Sequence, residues 1–403
     1  MSKNRNYDII IVGGGMVGGT AACALARSGL HIAVIDAADP APWQPGPHGM
    51  RVSAVNLASV RLFDKLGLWP HITDMRMSPY HRMVVWDAGS PAKIEFDALE
   101  IGEPALGYIV ENDVIVTALT RRMAEQENIT LLRSMEIENL ETGPEGVAAT
   151  LRNRDGKLRA PLLIGADGPQ SFVRKSVGIQ SPLMEFHQRA IVTTVRTAKP
   201  HAGTAWQRFL PTGPLAFLPL SDGSCSIVWS CDDDFAQEIL ALDNAAFRQR
   251  LAQAFESRLG EITDAGPRVA FPLRRHHAPS YIAEHTALIG DAAHLTHPLA
   301  GLGANIGFVD AAALAEVVTS AAAKRQEIGS RSVLRRYERW RRGDNAAVLA
   351  LMRSFKETFG ARDPLRRAVR AAGFKLADNL GPLKSGLVRG ATGTAGDLPT
   401  LCR

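Results

Sequence analysis

Tyr7-Asp-Ile-Ile-Ile-Val-Gly-Gly-Gly-Met-Val-Gly18 is an apolar run of strand type that stops at a glycine fingerprint and then opens a helix. The spacing G-x-G-x-x-G between such a strand and such a helix predicts a dinucleotide cradle. Gly13 allows the tight turn, Gly15 lets backbone N–H groups approach a pyrophosphate, and Gly18 brings the helix against the strand. The positive end of that helix then faces the phosphates. A second apolar run, His31-Ile-Ala-Val-Ile35, ends at Asp36, where an acid would bond a ribose hydroxyl. The bland alternative is a glycine-rich turn; the strand, the helix and the acid at the expected distance weigh against it.

Two later segments have the same grammar. Leu162-Leu-Ile-Gly-Ala-Asp167-Gly168 is an apolar strand running into an acid and a glycine, followed by a helix start that carries Ser171 and Arg174. Thr286-Ala-Leu-Ile-Gly290-Asp291-Ala-Ala-His294 is another, followed by His297, Pro298-Leu-Ala-Gly301-Leu-Gly303-Ala-Asn305 and a long alanine-rich helix. Strands that alternate with helices in this way predict an α/β fold.

Composition bounds the rest. A chain of 403 residues with 46% hydrophobic residues is long enough for two cores and too apolar for disorder. Cys23, Cys225, Cys231 and Cys402 show neither C-x-x-C nor zinc spacing, so no metal site is expected and a reducing compartment, the cytoplasm, fits best. Met1-Ser-Lys-Asn-Arg-Asn6 is a short polar lead rather than a signal peptide. No apolar stretch reads as long enough to span a bilayer, so the expectation is a soluble or peripheral protein. The formal net charge of +5 comes without a nucleic-acid recognition motif, so no nucleic-acid partner is expected.

The order of the three motifs resembles the flavoprotein aromatic hydroxylases of the para-hydroxybenzoate hydroxylase type. Met50-Arg-Val-Ser-Ala-Val, Val84-Val-Trp-Asp87, Leu106-Gly-Tyr-Ile-Val-Glu-Asn112, Phe217-Leu-Pro-Leu220, Gly290-Asp-Ala-Ala-His294 and Arg336-Tyr-Glu-Arg339 are similar to the ubiquinone-biosynthesis branch of that family, nearest to the hydroxylases of 3-methyl-6-methoxy-2-polyprenyl-benzoquinol. The likeness runs nearly end to end. It implies FAD as cofactor and hydroxylation of a polyprenylated phenol or benzoquinol ring by a C4a-hydroperoxyflavin. Such chemistry asks the protein for a dry pocket and correct placement of the ring, not for a catalytic triad.

On that reading the fold is a Rossmann-like FAD-binding domain built from separated segments (1–75, 100–185 and 272–330), with an inserted antiparallel β-sheet substrate domain (76–99 and 186–271) and a C-terminal helical region (331–403). Residues 190–196, 205–210, 215–220 and 224–230 have the alternation of a meander. Trp206, Phe217 and Trp229 either line its substrate pocket or fill its core. Asp291 would accept hydrogen bonds from ribityl hydroxyls, or simply cap a helix. Gly301 and Gly303 would let the ring lie on bare main chain, and the helix beginning near Ala304 would point its positive end at the reduced ring.

The resemblance adds Arg51 beside the cofactor, Asp167 and Asn305 among its ligands, and Pro298 shaping the loop by the ring. His294 and His297 would either relay protons from a substrate hydroxyl or serve as structural residues of the loop. Leu302 departs from the glutamine usual in the family. No second fingerprint marks a reductant site, so NAD(P)H visits transiently or a protein donor supplies electrons; Arg174 and its neighbours serve that entrance or the cofactor. Residues 335–342 and 365–376 alternate cationic and apolar side chains at helical spacing, which suits peripheral contact with the inner face of a membrane, or a helix packed on the cofactor domain with a solvated basic face. Other ubiquinone-biosynthesis proteins are further partners on this reading. Two other readings stand beside it: a flavin monooxygenase of a soluble phenol, and a non-catalytic flavin-binding subunit of a biosynthetic complex.

Overall fold

The computed structural model describes residues 5–88, 93–295, 302–360, 386 and 388–403. Its central element is a six-stranded sheet in the order Ile282–Ala283, Thr286–Leu288, Leu162–Gly165, Ile9–Val12, Ile32–Ile35 and Ile129–Leu132. All pairings are parallel except the first. The strands Ile9–Val12, Ile32–Ile35 and Leu162–Gly165 are buried at every position. That is why they read as unbroken apolar runs, for a parallel sheet is covered on both faces.

Helix Met16–Ala26 packs against helices Asn112–Ala124 and Leu302–Ala323. Its small residues permit the close approach: a Cβ at Gly307 would come within 2.6 Å of Val17 Cγ2. The Gly303–Ala323 stretch does reach spanning length, 21 residues with a mean hydropathy of 1.5, contrary to expectation, but 72% of its apolar window is buried. It is a core helix whose apolarity serves the sheet. Helix Arg331–Gly360 lies along it.

A nine-stranded sheet is assembled from Arg82–Asp87, Lys93–Asp97, Met184–Thr197, Thr204–Leu210, Gly213–Pro219, Cys225–Asp232, Ile262–Ala265, Val269–His277 and His294–Leu295. Helices Asp233–Ala241 and Asn244–Ala254 cover one of its faces, where Phe217 stacks on Phe255 at 3.7 Å. A three-stranded sheet, Val52–Asn56, Gly107–Glu111 and Ser78–Tyr80, is antiparallel throughout. All four cysteines are buried and unpaired.

Candidate functional site

Strand order places the three motifs side by side. Leu163 pairs with Ile10 on one flank and Thr286 on the other, so the carboxyl ends of three neighbouring parallel strands share one edge. Gly13–Gly15, Asp167 and Gly290–Asp291 leave those ends in turn, and Asp36 leaves the next strand along. That edge, at the N-terminus of Met16–Ala26, is where a parallel sheet receives a ligand.

The fingerprint glycines divide their work. Gly13 sits at φ +99°, and a Cβ there would run into the carbonyl of Ala166; a Cβ on Gly18 would strike the carbonyl oxygen of Gly13. Around Gly15 nothing lies within 4 Å of the added atom. Gly18→Val is therefore expected to lose about 3 kcal/mol of stability before any ligand is considered, whereas Gly15→Val keeps the wild-type unfolding curve and loses its cofactor. Denaturant titration beside a bound-flavin assay checks the contrast, which fails if the two variants behave alike.

Asp36 accepts the Gly14 N–H at 2.7 Å and the Ala38 N–H at 2.8 Å, one on each oxygen. Each oxygen keeps a lone pair for a hydroxyl. Asp167 accepts the Val173 N–H at 3.0 Å through Oδ2, while its Oδ1 is buried without a partner among the described residues. Arg174 turns inward. It is buried, donating at 2.8 Å to Ala292 O and at 2.8 Å to Pro169 O, and so clamps the second motif to the third.

The third motif is held at nearly every backbone group. Asp310 Oδ2 accepts the Gly290 N–H at 3.2 Å, His276 Nε2 donates to Asp291 O at 2.8 Å, and the Ala278 N–H reaches Ala293 O at 2.8 Å. Burial drives the His276 pKa down to about 4, so the ring is neutral. Its proton sits on Nε2, facing a carbonyl, and Nδ1 accepts from Ser181 Oγ at 3.0 Å. The loop is rigid, but its acid is free: the Asp291 side chain is exposed, and among the described residues its carboxylate bonds none. Surrounding protein nonetheless raises its pKa by desolvation, while the charges of His294 and Arg51 pull it back. An exposed yet poorly hydrated carboxylate is what the floor of a crevice produces. Arg51 is also exposed, its guanidinium 5.6 Å from the centroid of Phe271.

Two residues read as site groups turn inward. His294 is 3% exposed, and its Nε2 lies 2.5 Å from Asp310 Oδ2. It is an anchor of the loop rather than a relay to substrate. Asp310, wholly buried, takes Arg341 Nε at 2.9 Å and Asn345 Nδ2 at 3.0 Å on its other oxygen. Burial alone would raise the Asp310 pKa; the His294 and Arg341 charges outweigh it and bring it to about 2. Asn305 accepts from Asn56 N at 3.0 Å and Ser59 Oγ at 2.8 Å and donates to Ala54 O at 2.8 Å. Its amide locks the helix start to Val52–Asn56. Gly303, in the first turn of Leu302–Ala323, has nothing within 4 Å of an added Cβ, and the first N–H groups of a helix lack acceptors within it. His297, Pro298, Gly301 and the segment 365–376 lie outside the described residues.

A buried ion cluster escaped the sequence. Glu111 Oε1 accepts the Gly49 N–H at 2.7 Å, Arg76 donates to it at 2.7 and 3.0 Å, and His48 Nδ1 stands 3.4 Å away. These contacts hold the proline-rich loop in place. Burial pushes the Glu111 pKa up, but His48, Arg76 and the Gly49 N–H bring it to about 2. A folded pKa below the unfolded one stabilises above the unfolded value and is lost as pH falls. Stability should therefore drop by on the order of 2 kcal/mol between about pH 5 and pH 2 through this group. Glu111→Gln flattens that part of a urea-unfolding series against pH; an unchanged slope would refute the assignment.

Between the nine-stranded and three-stranded sheets lies a cavity of about 1040 Å³, its open mouth included. Val52 and Ala54 form one wall, Ala205, Ala216 and Val228 the other, and Val388 and Ala391 close over them. Phe217 and Trp229 are core residues of the helix-covered face instead. Trp206 borders the cavity, but its ring packs at 6.2 Å from Trp86 and 6.3 Å from Phe255 on that same far side. Side-chain alternation gives the cavity the small and aliphatic partners.

Residues 6–351 match the FAD binding domain family. The chain belongs to that family. Over 98% of its length it is 38% identical to the ubiquinone hydroxylase UbiL of Rhodospirillum rubrum, covering 91% of that protein. It is 37% identical to the 3-demethoxyubiquinol 3-hydroxylase of Escherichia coli, with 97% of this chain and 99% of the relative aligned. Among solved structures, p-nitrophenol 4-monooxygenase PnpA of Pseudomonas putida superposes with a TM-score of 0.76 at 21% identity, covering 96% of this chain and 98% of the other. That likeness establishes the shared fold.

The residues present fit FAD. Among the described residues, the orphaned Oδ1 of Asp167, the open carboxylate of Asp291 and the open space over Gly15 and Gly303 would suit a ligand of that class. Together they would form a main-chain cradle with acids at its margin.

Proposed function

We propose that this FAD-dependent monooxygenase hydroxylates the ring of a polyprenylated phenol or benzoquinol in ubiquinone biosynthesis. The observation that carries the reading is the apolar cavity, which shares the strand Val52–Asn56 with the FAD site through the Asn305–Ala54 bond. Its apolar walls suit a substituted ring and the first part of a prenyl tail. The names of the relatives, a ubiquinone hydroxylase and a demethoxyubiquinol hydroxylase, support the same substrate class.

FAD, when bound, supplies the redox chemistry that activates molecular oxygen. Asp36 and the open backbone at Gly15 hold the dinucleotide end, with Asp291 and the first turn of Leu302–Ala323 at the flavin end. Arg51 offers a cation at the rim, and the clamps from Arg174, His276 and Asp310 keep the floor from moving. The cavity walls exclude water. Electrons come from NAD(P)H or a protein donor. The Rossmann-like FAD domain is gathered from the separated segments named above. The inserted substrate domain supplies most strands of the nine-stranded sheet, while Val269–His277 and His294–Leu295 tie that sheet to the third FAD segment, and Arg331–Gly360 opens the C-terminal region as a helix. We place the enzyme in the cytoplasm, in peripheral contact with the membrane that holds its prenylated substrate. Basic segments such as 335–342 favour that over a soluble phenol.

The test is the quinone profile of a strain lacking this chain, read by mass. A prenylated intermediate short of one ring oxygen, restored to ubiquinone by the wild-type gene, is the expected result. A normal ubiquinone content would sink the proposal and favour catabolism of a soluble phenol.

A further inference from the structure

The cavity lining is mostly apolar, and two long side chains with polar ends stand in it, one from each wall. Tyr80 ends the strand Ser78–Tyr80, and Gln207 stands mid-strand in Thr204–Leu210. Both are buried, at 7% exposure each, and both line the cavity. Among the described residues neither phenol nor amide makes a side-chain hydrogen bond, and neither is among the sealed polar atoms without a partner, so both polar ends open onto the cavity. Of the other polar side chains of the lining, the Thr392 hydroxyl donates to Val388 O at 2.9 Å, Ser230 has the reach of a single hydroxyl, and the Trp206 indole N–H is buried without a partner among the described residues, its ring packed toward Trp86 and Phe255.

The fold makes room for both groups. Gly107 faces Tyr80 across the antiparallel pair, and a Cβ there would come 2.7 Å from the Tyr80 hydroxyl oxygen. Beside Gln207, the paired residue is Ala216, whose methyl group leaves the amide uncovered on the cavity side. Burial also pushes the Tyr80 pKa up to about 12, so the phenol is a neutral donor. Gln207 offers two donors and an acceptor pair.

We propose that Tyr80 and Gln207 are the specificity-determining residues of the cavity, reading the oxygen substituents of the aromatic ring from opposite walls while the aliphatic lining takes the tail. The assignment rests on the substrate class proposed above. A ring with oxygens in place completes both groups; a ring without them leaves two buried polar groups unpaired, and this penalty is the source of selection.

Equilibrium titration of the FAD-loaded protein with a geranylated methoxyphenol and with geranylbenzene, followed by flavin absorbance and protein fluorescence, separates tail from ring. Wild type should prefer the methoxyphenol. Tyr80→Phe and Gln207→Leu should each weaken it by about tenfold and leave geranylbenzene within about twofold. Equal losses for both probes, or no loss for the methoxyphenol, would overturn the assignment of the pair. Binding of neither probe by wild type would instead overturn the substrate class on which it rests. Tyr80→Phe removes one oxygen atom and keeps the ring, so it carries the test alone should Gln207→Leu fail to fold.

Discussion

Asp310→Ala is expected to lower the unfolding free energy by about 3–5 kcal/mol, the largest effect of any single substitution considered for this chain. The reason is the company Asp310 keeps. Its carboxylate is wholly buried between His294 and Arg341 and also receives the Gly290 N–H and the Asn345 amide. Removing it takes the buried partner from a guanidinium that is itself 5% exposed and leaves that cation, among the described residues, only the half-exposed Asp344 at 3.2 Å and the Asn345 amide. A buried cation robbed of its main partner costs far more than a lost surface pair. Because Gly290 is one of the groups released, FAD should leave in the same variant. Urea unfolding with and without added FAD measures both effects. A variant with wild-type stability in the absence of FAD would show that the cluster does not hold the loop. Acid should act alike: with the Asp310 pKa near 2 in the fold, its contribution is present above about pH 4 and fades below it.

Asp291→Ala should leave the apo fold intact and weaken FAD by roughly 10- to 150-fold, the loss of a charge-assisted hydrogen bond worth about 1.5–3 kcal/mol. The side chain holds no other described residue, so its removal breaks nothing inside the protein. That separates it from Asp310, where stability and cofactor fall together. Flavin-to-protein stoichiometry after gel filtration is the direct measurement. Full retention of FAD would show that this acid is not a ligand.

How far the sequence could be read depended on whether a residue's partner was local. Gly13, Gly18 and the strands before them were legible because the turn, the helix and the approach to the strand are all settled within a dozen neighbours. The adjacency of the three motifs followed from chain logic, since three apolar strands ending in glycine and acid have one sheet edge to share. His294 and Asn305 were legible as residues of the site but not in role. What decides between a ligand and an anchor is Asp310, Asn56 or Ser59, and nothing in the local pattern says which way an imidazole or an amide will turn. Trp206, Phe217 and Trp229 stayed open between pocket and core for a related reason. Alternation tells that a strand has two faces, not which of them meets a cavity; Phe217 and Trp229 filled the helix-covered core and Trp206 borders the cavity. Arg76, Glu111 and His48 come from three separate elements, and charge spacing along the chain carries no trace of their meeting.

The order of neighbouring strands has a consequence for biogenesis. Ile9–Val12 and Leu162–Gly165 become neighbours only after the whole intervening chain has been made, and Thr286–Leu288 joins them later still. Pairings so distant in sequence carry a high loop-closure cost and form slowly. During translation the first fingerprint strand, paired early with Ile32–Ile35, therefore waits with its other edge uncovered, open to association with other nascent chains. Surplus flavin in the growth medium should then do little to rescue aggregation during synthesis, whereas slower elongation or a chaperone that shields unpaired strands should raise the yield of folded enzyme.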